Sequence, residues 1–158
     1  MFCVGDMIAH PMHGAGVIDS IEEKKLNGCT RMYYVLKMPA GGMVLMIPTE
    51  SSDQIGVRPI VDSDTADALM ASIPKIAVEM TSNWNRRYRE NMQRIRSGDL
   101  LEVAHVVKGL MARENEKGLS TGERKMLISA KQILISELVL SKNLTYDEVE
   151  SLLNTLLA

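Results

Sequence analysis

Glycine and proline punctuate the first 60 residues densely and then thin out, and this change of rhythm is what most constrains the fold. Before it, Gly5-Asp6, Pro11, Gly14, Gly16, Asn27-Gly28, Pro39, Gly41-Gly42, Pro48, Gly56 and Pro59 separate short apolar runs. Asn27-Gly28 lies between the runs 17–21 and 32–37, and such a pair accepts the positive φ angles of a type I′ turn. A hairpin is therefore predicted there. A second is predicted to turn at Ala40-Gly41-Gly42 and return through 43–47. Several short strands joined by tight turns imply a small, strongly bent sheet or partial barrel.

After residue 60 the helical period takes over. A first helical region is predicted over 62–80, interrupted or ended near Pro74. Asn83 can cap a second helix that runs to Ser97-Gly98, where glycine suits a left-handed terminus. Asp99 caps a third, with Leu100, Val103, Val106, Val107 and Leu110 on one stripe and Gly118 beyond its end. Ser120-Thr121-Gly122-Glu123 and Thr145-Tyr146-Asp147-Glu148 both have the form of a capping box, each followed by an apolar stripe. The expectation is an α+β protein, with a sheet domain over 1–60 and an all-helical domain over 61–158.

Aromatic residues make up only 4% of the chain, so the core must be aliphatic, with the 12 methionines filling gaps. Cys3 and Cys29 sit in no ligand-like or CxxC spacing and are expected to be buried, small apolar residues in a reducing compartment. The first residues lack the basic segment and apolar run of a secretion signal, and no apolar run approaches the ~20 residues of a membrane helix. A cytoplasmic protein is expected.

Charge is unevenly distributed. The chain carries −2 overall, yet residues 84–131 hold 11 basic and 6 acidic groups, a local +5. A basic stretch inside an acidic chain fits either a phosphate-rich partner or a solvated helical face. Its densest part, TSNWNRRYREN over 81–91, also contains the only tryptophan. On a helix starting near Asn83, Trp84, Arg87 and Tyr88 share one face, flanked by Arg86 and Arg89. An exposed ring among arginines suits insertion at a distorted base step while cations hold phosphates. Equally, Trp84 could anchor the two halves with the arginines in solvent. Arg124 and Lys125 add positive charge where the fourth helix begins, beside backbone N–H groups that favour phosphate.

Catalytic constellations are missing from the pattern. His10 and His13 flank Pro11 without an evident third ligand and read as turn histidines. His105 falls within the third helix's periodic segment. Gly14-Ala15-Gly16 is too short for a phosphate loop and precedes no helix. Neither an enzyme nor a metal or cofactor is expected.

The motifs NWNRRY over 83–88, SGD over 97–99, GLSTGERKML over 118–127 and AKQIL over 130–134 resemble the C-terminal domain of the CarD/CdnL family. In the N-terminal half, VGD over 4–6, HPMHGAG over 10–16, YVLK over 34–37 and Ile47-Pro48 are similar to the same family. The resemblance covers essentially the whole chain. It implies a bacterial, nucleoid-associated transcription regulator with a Tudor-like N-terminal domain that docks on the RNA polymerase β subunit, partly by sheet-edge pairing. The helical domain would reach promoter DNA at the upstream edge of the bubble and prolong the open complex without sequence-specific recognition.

Carried over position by position, the resemblance makes Trp84 the minor-groove wedge and Arg86, Arg87 and Arg89 its phosphate contacts. Arg124, with Lys125, would be a further DNA contact. On the polymerase side Lys24 keeps one of the family's basic positions, whereas Met46 occupies the second and removes that ionic contact. The alternative within this architecture is a polymerase-bound adaptor whose basic helix meets an acidic protein partner rather than DNA.

Overall fold

Asn27 and Gly28 both adopt positive φ, 51° and 79°, so the type I′ turn forms where it is predicted. In the computed structural model, which describes residues 1–39 and 41–158, the strands flanking this turn are β2 (Gly14–Leu26) and β3 (Cys29–Lys37). Both are longer than the apolar runs alone indicate, because the hairpin extends beyond the core as a two-stranded ribbon with exposed sides. β4 (Val44–Pro48) pairs with β3 as the second hairpin requires, and Ala40 of its predicted turn lies outside the described residues. With β1 (Met7–His10) and the short β5 (Arg58–Pro59), the sheet runs β4-β3-β2-β1-β5, every pair antiparallel. A register shift between Ile18 and Ser20 bends β2, as a bulge does.

Ile8, Ile18, Tyr34, Leu36, Ile47 and Val57 form the inner face of this sheet. Cross-strand partners share a face, so Lys24, Arg31, Tyr33, Val35 and Met46 lie together on the opposite, outer face. Cys3 and Cys29 are exposed and unbonded, correcting the expectation of burial. Cys3 sits in the turn before β1, and Cys29 sits at the tip of the ribbon, where no second layer covers it.

A one-turn α1 (Ser52–Ile55) precedes β5, and the helical half follows it. α2 (Ser63–Ser72) is capped by Asp62 and passes into a single 3-10 turn at Ile73–Lys75, so helix stops well short of residue 80, as Pro74 demands. α3 (Trp84–Arg96), α4 (Leu100–Glu116), α5 (Thr121–Lys142) and α6 (Tyr146–Leu157) start after their predicted caps Asn83, Asp99, Ser120 and Thr145. Gly98 and Gly118 take the left-handed conformation beyond α3 and α4. Their aliphatic stripes converge on one cluster around Leu110, Leu134, Leu138 and Leu153. The whole is α+β, a bent antiparallel sheet followed by a helical bundle. No helix among the described residues is long and apolar enough to cross a membrane.

The two apolar clusters are joined by a polar seam. α5 lies against β2, where Ser136 Oγ accepts a hydrogen bond from the Ala15 amide at 2.9 Å. At Gly14, with φ of 98°, an added Cβ would come within 2.5 Å of that hydroxyl, so only glycine lets strand and helix approach this closely. Nearby, Arg58 donates to both carboxylate oxygens of the buried Glu137 at 2.7 and 2.9 Å and also to the Gly98 carbonyl. Glu137 additionally accepts from the Val61 amide. Sheet edge, α3–α4 turn and α5 thus share one hydrogen-bonded knot.

Candidate nucleic-acid interface

Asn83 Oδ1 accepts from the Arg86 amide at 3.0 Å, which makes Trp84 the first residue of α3. At this position its indole projects from the helix end rather than into the bundle, and it stays 43% exposed. The ring is nevertheless held. Its Nε1–H donates to Ser120 Oγ at 3.0 Å, and one face stacks on Tyr88 with centroids 5.2 Å apart and planes 20° off parallel. Ser120 caps α5, so the beginnings of α3 and α5 meet beneath the tryptophan. Backbone N–H groups and the positive ends of both helix dipoles gather at this corner.

The arginines do not act as one group. Arg86 is exposed and lies 2.9 Å from Glu90, and Arg89 is exposed one position beyond Tyr88. Arg87 is only 2% exposed and turns inward. Its Nε and Nη2 donate to Glu123 at 2.8 and 3.0 Å, and Nη1 donates to the carbonyls of Thr81 and Ser82. The predicted phosphate contact at Arg87 is thereby corrected. A guanidinium whose donors are committed to a buried carboxylate and to backbone cannot also meet DNA. The hydrogen bonds from Arg87 hold the Glu123 carboxyl below the usual glutamate range against the opposing effect of burial, and the same bonds raise the Arg87 guanidinium.

This pairing also changes the predicted capping box. Ser120 Oγ accepts from the Glu123 amide at 3.2 Å, as the motif requires, but the Glu123 side chain is taken by Arg87. At Thr145 and Glu148 both halves of the box form. Arg124 and Lys125 are exposed on the first turns of α5, with Arg124 3.5 Å from Glu114. Arg86 and Arg89 are thus exposed on α3 and Arg124 and Lys125 on α5, the two helices whose starts meet at the Trp84–Tyr88 pair. Ser120 and Glu123 were legible only as caps. A signal for the inward turn of Arg87 does exist, since Arg87, Asn91 and Ile95 recur every fourth residue as the buried stripe of α3.

The residues predicted to face polymerase lie elsewhere. Lys24 is exposed near the end of β2, opposite Arg31, while Met46 is half-buried on the edge strand β4, opposite Val35. Both occupy the outer sheet face. At the sheet's other side His10 and His13 stand with ring centroids 4.6 Å apart, and His10 Nδ1 accepts from the Met12 amide. Burial, followed by the proximity of His13, lowers the His10 pKa. Among the described residues no three His, Cys, Asp or Glu side chains are grouped to hold a metal ion.

Residues 68–154 match the family model described as the CarD C-terminal domain, and residues 2–61 match the CarD-like/TRCF RID domain. The "Putative transcription factor YdeB" of Bacillus subtilis (strain 168) is 38% identical over 151 residues, spanning 96% of this chain and 99% of that protein.

Proposed function

This chain belongs to the CarD/CdnL family of transcription regulators, not to a family of enzymes, and we propose on that premise that it stabilises the open promoter complex. Residues 1–60 bind the RNA polymerase β subunit, and residues 61–158 place Trp84 in the minor groove at the upstream edge of the bubble. The observation that carries this reading is the state of Trp84. The chain's one indole is neither in the core nor loose on the surface, but half-exposed, stacked and hydrogen-bonded among cations.

Supporting features come from both halves. Among the described residues β4 is a terminal strand paired on one edge only, and the outer face beside it carries Lys24 and Arg31 at the ribbon end. Sheet-edge pairing with an apolar patch at Val35 and Met46 and a cationic end suits docking on a protein surface. In the helical half Arg86, Arg89, Arg124 and Lys125 hold phosphates, and Arg87 holds the helix that presents the wedge.

The energetics are adequate. A stacked aromatic contributes roughly 1–3 kcal/mol. Strand opening near balance responds about tenfold to each ~1.4 kcal/mol of preference for the open state. Four phosphate contacts are too few to hold free DNA tightly at physiological salt, so tethering to polymerase supplies the local concentration. That division of labour suits a DNA-contacting protein of net charge −2.

The test is the lifetime of the open complex formed by the protein's own polymerase, with wild type and Trp84→Ala compared. The variant is expected to shorten the lifetime about five- to hundredfold while polymerase binding and melting temperature persist. A large loss of melting temperature, or an unchanged lifetime, would overturn the reading.

A further inference from the structure

Ser120 is placed to do more than cap α5. Its hydroxyl accepts from the indole Nε1–H of Trp84 at 3.0 Å and from the Glu123 amide at 3.2 Å, and it lies 3.4 Å from Glu123 Oε1, to which it can donate. Glu123 is gripped by Arg87, and Arg87 in turn holds the carbonyls of Thr81 and Ser82. Those two residues immediately precede Asn83 and Trp84. The hydrogen bonds therefore form a chain that leaves the tryptophan through its side chain and returns to the backbone just before it, at Thr81 and Ser82. Tyr88, half-buried against the helical core, stacks on a face of the ring while Ser120 holds its edge.

From this chain of hydrogen bonds we infer that Ser120 is a positioning residue for Trp84, fixing the indole in its DNA-ready orientation before DNA arrives and occupying its only polar atom. The inference rests on the proposed function and specifies how that site works. A free surface indole samples several rotamers and must be ordered on binding, at a cost that lowers affinity. A seated indole has lost that freedom during folding. With its N–H committed to Ser120, it offers DNA an apolar ring and no hydrogen-bond donor for a groove acceptor. Contact without base reading follows, because base edges are read by donors and acceptors.

A single tryptophan makes the seat directly observable, since its fluorescence reports position 84 alone. In the free protein, Ser120→Ala is expected to lower the fluorescence anisotropy of Trp84 and to shorten the open-complex lifetime about two- to tenfold. Ser120→Thr keeps the hydroxyl and is expected to restore both. Loss of the α5 cap is a structural side effect of Ser120→Ala, so Thr145→Ala, which removes the cap of α6 far from the indole, serves as control. Thr145→Ala should leave anisotropy and lifetime as in wild type. Unchanged anisotropy in Ser120→Ala overturns the inference, and so does a lifetime loss matched by Thr145→Ala or lowered anisotropy with an unchanged lifetime. Failure of the underlying reading is distinguishable, because Trp84→Ala would then leave the lifetime unaltered whatever Ser120 does to the ring.

Discussion

Arg87 and Glu123, 36 residues apart in sequence and each 1–2% exposed, meet in a two-bonded fork of 2.8 and 3.0 Å at the junction of α3 and α5. Removing one partner leaves the other charged and buried, a loss of about 3–5 kcal/mol in comparable pairs. Arg87→Ala is therefore expected to lower the melting temperature sharply, whereas Arg89→Ala, at an exposed position, should change stability by no more than ~0.5 kcal/mol. Thermal unfolding of the two variants checks the contrast between neighbours of identical charge.

The same fork makes stability depend on pH in a defined direction. Arg87 lowers the folded pKa of Glu123 from the ordinary 4.5, so the unfolded chain takes up this proton first as pH falls. The contribution is fully present above about pH 4.5 and is lost as pH drops through the lowered folded value. Denaturant unfolding of wild type and Glu123→Gln from pH 7 to 3 is expected to show wild type losing its advantage over the variant only in the acid range.

The proposed phosphate contacts carry a salt signature. Each cation removed from the proposed DNA face should reduce the slope of log affinity against log salt by about 0.9. Arg89→Ala and Lys125→Ala are expected to do so singly and additively in titrations of the factor into promoter complexes. Arg86 and Arg124 should give smaller changes, because Glu90 and Glu114 already partly neutralise them.

The seam between sheet and bundle ties the two halves of the chain together. Arg58→Ala strands the buried carboxylate of Glu137 and unties the Gly98 carbonyl. A loss of about 3 kcal/mol or more is expected, with the cooperative melt broadening or separating into two transitions. Calorimetry reads both effects.

On the outer sheet face, Lys24→Glu is expected to weaken polymerase binding by reversing charge beside Arg31. Met46→Arg, which introduces a basic side chain on the edge strand, should strengthen it and steepen its salt dependence. Equilibrium binding to isolated polymerase at two ionic strengths measures each change.

Much of the fold was legible because its signals are local. Asn27-Gly28 specifies a turn by its own backbone preference, and Asn83, Asp99 and Thr145 satisfy amide groups two or three residues away. Cys3 and Cys29 are exposed for the complementary reason: burial of a small residue depends on whether another layer covers its strand or turn, and among the described residues none covers the ribbon tip or the segment before β1. The candidate site divides along the same line. Trp84, Tyr88 and the cations were identifiable by type and helical spacing, but Ser120 and Glu123 could be read only as caps of their own helix.

The sequence by itself determined two halves, their strands and helices, and a cluster of one indole and several cations at the start of α3. Arg86, Arg87 and Arg89 are alike in that sequence, because charge is a property of the residue. Only the tertiary structure made them different. With about 3.6 residues per turn, neighbouring side chains on α3 point in different directions, and the packing of α5 against one of them turned Arg87 inward onto Glu123. That contact, between residues 36 positions apart, leaves Trp84 at the surface and places the Ser120 hydroxyl against its ring nitrogen.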